Sequence, residues 1–129
     1  MNSSAEDLKD YLDGISSLAL TFKTNLFVAR MPDTPDQCVV LYDSGGFAPY
    51  SNDYQRPTVQ IRTRGAQGGY QTIYDLTKAI WDELHELANQ TINLTRYIAI
   101  YAVDEPFSLG LDDNNRPLFS MNFRIDRSG

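Results

Sequence analysis

Pro57-Thr-Val-Gln-Ile-Arg-Thr-Arg64, then Gly65-Ala-Gln-Gly-Gly69, then Tyr70-Gln-Thr-Ile-Tyr-Asp-Leu-Thr-Lys-Ala-Ile-Trp-Asp-Glu-Leu-His-Glu-Leu87 decides the fold class. The first segment alternates with period two: Val59, Ile61 and Thr63 take one face, Gln60, Arg62 and Arg64 the other, the pattern of a half-buried strand. The glycines interrupt it. Beyond them Ile73, Leu76, Ile80, Leu84 and Leu87, flanked by Ala79 and Trp81, recur at helical spacing. A strand with one apolar face running into an amphipathic helix predicts a sheet with helices laid on it.

Working outward, the C-terminal segment Leu118–Asp126 alternates as cleanly, with Phe119, Met121, Phe123 and Ile125 inward. It follows a turn-forming run, Asp112-Asp-Asn-Asn-Arg-Pro117. Thr91–Thr95 and Tyr97–Val103 are rich in β-branched and aromatic residues and read as strands. Upstream, the extended runs Asn25–Arg30 and Gln37–Tyr42 flank Met31-Pro-Asp-Thr-Pro-Asp36, whose prolines forbid a continuous strand. Phe47 to Arg56 reads as an irregular polar and aromatic loop after the turn-forming Asp43-Ser-Gly-Gly46. At the N-terminus Ser3 and Glu6 form a capping box ahead of Leu8, Tyr11, Leu12 and Ile15 at helical spacing. The expectation is an α+β fold: one mixed or antiparallel sheet, with an N-terminal helix and one long central helix packed mainly on one face.

The chain has 129 residues, room for one domain, with 42% hydrophobic and 22% charged residues, so a packed core rather than disorder is expected. Its formal net charge of -6 argues against free binding to duplex nucleic acid. The charge is unevenly spread: residues 44–69 carry Arg56, Arg62 and Arg64 against Asp53 alone. A basic strip in an acidic chain suits an acidic patch on a neighbouring copy, or an ordinary solvated strand face. Cys38 is the only cysteine, so no intrachain disulfide is possible and a reducing compartment fits. The acidic N-terminus has no signal-peptide pattern, and no apolar run approaches membrane-spanning length.

Candidates for catalysis are few. His85 is the lone histidine, next to the apolar stripe of the main helix, and reads as structural. One cysteine and one histidine cannot make a structural zinc site. Asp112-Asp-Asn-Asn115 lacks the glycine and bidentate glutamate of a calcium loop. Gly65–Gly69 sits between strand and helix, where phosphates bind, but matches neither dinucleotide nor P-loop pattern. No catalytic residue, metal or cofactor is assigned. Phe47, Tyr50, Tyr54, Arg56, Arg62 and Arg64 interleave aromatic and basic groups. Such a set stacks on single-stranded bases or anchors a protein–protein contact. The acidic total favours the second.

Read together, Met31-Pro-Asp-Thr-Pro-Asp-Gln-Cys-Val-Val-Leu-Tyr-Asp-Ser-Gly-Gly46 and Arg56-Pro-Thr-Val-Gln-Ile-Arg-Thr-Arg-Gly65 resemble the opening strands of minor capsid and tail-terminator proteins of long-tailed bacteriophages. The closing Leu109-Gly-Leu-Asp-Asp-Asn-Asn-Arg-Pro-Leu-Phe-Ser-Met-Asn-Phe-Arg-Ile125 is similar to that family's last strand. The likeness runs from about Leu8 to Arg127 and rests on the order and spacing of the segments.

It implies a single terminator-like domain over residues 1–129, without enzymatic activity, forming a homohexameric ring. Such a ring caps the tail tube at the head–tail junction of the virion, after assembly in the host cytoplasm. Tail tube protein and head-completion (stopper) protein would be its partners, with genomic DNA passing through unread and no membrane involved. By position Gln60, Arg62, Arg64 and Arg56 are candidates for the ring's bore or its subunit interface. Phe47, Tyr50, Tyr54, Asp112 and Arg116 are candidates for loop contacts. Three rivals stand beside this reading. One is a head-side connector, stopper or minor capsid protein. Another is a small ligand-binding or enzymatic domain with the Phe47–Tyr54 loop as a lid. The third is a single-strand nucleic-acid binder.

Overall fold

The computed structural model describes residues 1–51 and 53–128. Helix α1 spans Ser4–Asp13, and the Ser3 hydroxyl accepts the Glu6 N–H at 3.2 Å, as the capping box predicts. A short 3-10 turn, Ser16–Leu18, leads to β1 (Leu26–Val28), β2 (Cys38–Ser51) and β3 (Tyr54–Arg64). Helix α2 is Tyr70–Leu84, followed by β4 (Leu87–Ile92), β5 (Thr95–Ala102), β6 (Phe107–Leu111) and β7 (Pro117–Ser128).

The strands form one sheet in the order β1-β2-β3-β7-β5-β4, with β6 also paired to β7. Among the described strands only β1 and β2 run parallel, so the sheet is mixed, as expected. Strand β7 is its spine: β3 lies along one edge, while β6 and β5 share the other. Register brings Val39, Leu41, Val59, Ile61, Met121, Phe123 and Ile125 to one face, where Ala5, Leu8 and Leu12 of α1 and Ile80 and Leu84 of α2 close over them. The buried Thr63 fits this face because its hydroxyl lies 2.6 Å from that of Thr77, which also reaches the Ile73 carbonyl at 2.7 Å. Leu84 is fully buried, and Leu84→Ala should cost about 2–5 kcal/mol by lost burial and the cavity left behind. A urea midpoint equal to that of the unaltered chain would contradict this packing.

Three expectations are corrected. The central helix is not long: α2 has 15 residues, barely exceeding the 14 of β2, and the sheet dominates. The apolar stripe misleads at Leu87, which pairs with Ile100 in β4. His85 is already extended at the helix end, and Glu86 takes a positive φ of 63° while its N–H donates to the Ile100 carbonyl.

The stretch from Phe47 to Arg56 is not an irregular loop. Apart from Asn52, which lies outside the described residues, and the turn at Asp53, it forms the distal halves of β2 and β3. The Gly45-Gly46 pair bulges the strand instead of turning it. Both residues have positive φ, and a Cβ on Gly46 would come within 2.5 Å of the Arg56 carbonyl oxygen. The register shifts there, and Pro57 faces Gly46 at the irregularity, where a missing N–H is tolerated.

The third correction concerns Thr91–Thr95, which is not one strand: Thr91 and Ile92 end β4 and Thr95 opens β5. Asn93 and Leu94, both at positive φ, form the two-residue turn joining β4 to β5. Strand β6 was not anticipated. Gly110, at φ 86° and beside a further register shift, conceals its alternation.

Candidate assembly surface

At the end of the β2–β3 hairpin β3 stays paired with β7 as far as Gln55, but the outer edge of β2 is uncovered. Strand β1 pairs with β2 only from Val39 to Leu41, and among the described residues no strand pairs with the outer edge of β2 beyond that point. From Asp43 to Ser51 every residue of β2 is exposed. This edge carries Phe47 and Tyr50, 60% and 69% exposed, too large and apolar to be indifferent to water.

The arm is nevertheless ordered by its own side chains. Arg56 lies over the Tyr50 ring at 3.8 Å and near that of Phe47 at 5.4 Å, and donates from Nε and Nη2 to the Ala48 carbonyl. Tyr54 packs on Tyr50 with ring centroids 5.2 Å apart. Phe47, Tyr50, Tyr54 and Arg56, four of the residues singled out in the sequence, thus form one cluster. With Arg124 and Asp126 of β7 they line a shallow cleft.

The cleft opens onto the sheet face turned away from the helices. Alternation places Tyr42, Gln60, Arg62, Asn122, Arg124 and Tyr101 on that face. Gln60 is half-buried and Arg62 exposed. Arg62 leans over Tyr42 at 6.0 Å and Arg124 over Tyr101 at 5.3 Å. Among the described residues neither guanidinium has a hydrogen-bond or carboxylate partner within the chain. Arg124 belongs to the same row, although only the Arg56–Arg64 side was singled out from the sequence. The alternation of β7 was the signal that pointed to it.

Arg64 and Arg116 are placed otherwise: both guanidinium groups are buried and bonded within the chain. Arg64 is 4% exposed, because the Met31–Asp36 connection folds over it. Its Nε donates to the Asp36 carbonyl at 2.8 Å, and Nη2 to those of Pro32 and Pro35 at 2.6 and 2.8 Å. Arg116, 6% exposed, fixes the same connection from the other side. It donates to the Asp33 carbonyl at 2.7 Å and pairs with the carboxylates of Asp33, Asp36 and Asp112. Two buried guanidinium groups therefore staple a proline-rich loop whose carbonyls cannot pair in a sheet.

Asp112 completes the staple, since its carboxylate accepts the backbone N–H groups of Asn114 and Arg116 at 2.9 Å each. The Arg116 N–H foremost, then the Arg116 guanidinium, holds this carboxyl below its usual range. Its stabilisation is complete at neutral pH and is lost as pH falls through that lowered value. Asp112→Asn should therefore lose stability at pH 7 but show a flatter acid limb below about pH 4 than the unaltered chain. Parallel acid limbs in pH-dependent urea titrations would contradict this role.

The groups considered for chemistry have structural employment. The His85 Nδ1 accepts the Ala102 N–H at 3.0 Å, and its ring stacks on Trp81. Cys38 is 1% exposed, and burial pushes its thiol up, away from a reactive thiolate. A Cβ at Gly65 would come within 2.8 Å of Ile73, so this glycine lets strand and helix approach closely. Among the described residues no three His, Cys, Asp or Glu side chains are grouped to hold a metal. No helix among the described residues is long and apolar enough to cross a membrane.

Comparison with known proteins bears on what this surface serves. No curated protein matches the chain. A chain of the solved virion of a native gene transfer agent particle is similar in fold, with a TM-score of 0.72 at 15% identity, over 98% of this chain and 94% of that one. A second solved chain gives 0.56 at 10% identity, over 98% and 92%. A family model described as bacteriophage tail terminator protein matches residues 5–128. With that match spanning nearly all of the sequence, the chain belongs to the bacteriophage tail terminator family and is a structural component of a virion.

Proposed function

We propose that this chain closes into a ring, a homohexamer, that caps the tail tube, halts its polymerisation and offers its other rim to the head-completion protein. The observation that carries the reading is the hairpin arm. Nine consecutive exposed residues, Asp43–Ser51, form a sheet edge with two uncovered aromatic side chains. An edge of that length invites another chain, and Pro49 with the glycine bulge limits indiscriminate pairing. On the far side of the sheet β6 exposes Phe107, Leu109 and Leu111, 40 to 60% accessible. Two different patches on one subunit are what a closed cyclic assembly requires.

In this reading the ring works as a passive stop, without cofactor or bond-making chemistry. Its one domain assembles in the host cytoplasm, and genomic DNA passes through the bore without sequence-specific contact. Electron microscopy of particles made without the protein tests the role. Overlong tails are expected. Tails of normal length beside leaking heads would overturn termination and assign the chain to the head-side stopper.

A further inference from the structure

Among the described residues, Arg62 and Arg124 on the open sheet face have no carboxylate partner within the chain, whereas several other cations are matched. Lys9 pairs with Glu6 and Asp10, Lys78 with Glu105, and Arg116 with three carboxylates. Arg62 and Arg124 are exposed on adjacent central strands and held only against tyrosine rings. Arg56 lies beyond them in the same row, with its own face over Tyr50. Asp126 is the one carboxylate lining the adjoining cleft. An ordinary solvated face would not set several cations in line with so few anions in a chain of net charge -6.

The missing anions lie on the opposite side of the same subunit. Asp75, Asp82 and Glu83 are exposed along α2. Lys78, which lies between them, is drawn onto Glu105 at 3.1 Å and over the Trp81 ring at 3.7 Å, with Asp82 at 3.8 Å. Spacing agrees with charge. Arg62 faces Ser120 and Arg124 faces Thr58, four residues apart on β7, or about 13 Å. Asp75 and Asp82 are seven residues apart on one helix ridge, about 10 Å, a difference that long arginine side chains span.

Resting on the ring proposed above, the geometry points to a specific seam: the Arg62–Arg124 sheet face of one copy seats on the α2 carboxylate ridge of the next. The two surfaces lie on opposite sides of the subunit, so the contact is heterologous and propagates in one direction, as a cyclic ring requires. A duplex phosphate backbone is the other polyanion that would suit the arginines. The second copy is favoured because its carboxylates are present in equal measure on every subunit, and six such chains together repel DNA.

The test is a charge swap with the full chain. Arg62→Glu with Arg124→Glu should stay folded by circular dichroism yet need on the order of 100-fold higher concentration to assemble, because like charges then face each other. Asp75→Lys with Asp82→Lys and Glu83→Lys should fail in the same way. Mixed in equal amounts, the two variants should recover rings of alternating composition by native mass spectrometry, since each seam is then again opposite in sign. Rings from the arginine variant alone would overturn the seam. So would two folded variants that fail singly and also fail together. If the arginine variant keeps its ring but loses salt-dependent retention on duplex DNA, the face belongs to nucleic acid and the seam is wrong. The unaltered chain run alongside separates the two propositions: its failure to form a ring rejects the ring itself, not merely this seam.

Discussion

Asp7→Ala is expected to cost about 3–5 kcal/mol, a large part of the 5–15 kcal/mol that holds a domain of this size. Asp7 is fully buried where α1 meets the sheet. Its carboxylate accepts the Tyr97 hydroxyl at 2.5 Å and the side-chain amides of Asn93 and Asn2 at 2.9 and 3.2 Å. The Arg127 guanidinium lies 3.9 Å away, 8% exposed, and donates to the Tyr97 oxygen, the Asn2 carbonyl and Gln55. Burial, and then the bond to Asp7, pushes the Tyr97 phenol up to about 12, so it stays a donor. Removing the carboxylate strands a buried cation and a buried hydroxyl together. Tyr97→Phe removes one hydrogen bond and should cost only about 1 kcal/mol. Urea midpoints that rank the two variants in the opposite order would refute this account of the N-terminal helix's anchorage.

The second large effect falls on assembly and spares the fold. Phe47→Ser with Tyr50→Ser removes two exposed rings from the arm, and surface positions of this kind change stability by about 0.5 kcal/mol or less. Buried at the centre of an interface, aromatic side chains are often worth 2 kcal/mol or more each, which corresponds to about 30-fold in affinity per ring. The double variant should therefore melt with the unaltered chain while failing to assemble or to cap tubes. A variant that assembles normally would show the exposed aromatics to be incidental. One that melts much earlier would show the arm to belong to the core, against its exposure of 60% and 69% at these positions.

Local chemistry was legible in the sequence wherever it was repeated. The alternation of Val59, Ile61 and Thr63 and of Phe119, Met121, Phe123 and Ile125 marks the two central strands, and the Ser3–Glu6 pattern marks the start of α1. Single residues that break a period misled it. Gly46 read as part of a turn and Gly110 concealed a strand, although each sits at a bulge that lets a strand continue. Leu87 extended a helical stripe although its backbone pairs with Ile100.

The candidate surface divides in the same way. Alternation correctly set Arg62 and Arg64 on one side of β3, but a loop 28 to 32 residues away covers only Arg64, and no local pattern announces that. Nor does any announce that Asp7 will meet Tyr97, 90 residues on. The resemblance of the chain's segments to tail terminators agrees with the family match.

In the proposed ring this exterior recognises copies of itself. Light scattering of the purified chain over a wide concentration range tests it most directly. A species near six times the 14.6 kDa of one chain, persisting on dilution, is the expected result. A mass of 14.6 kDa at every concentration, unchanged by added tail tube protein, would contradict the claim.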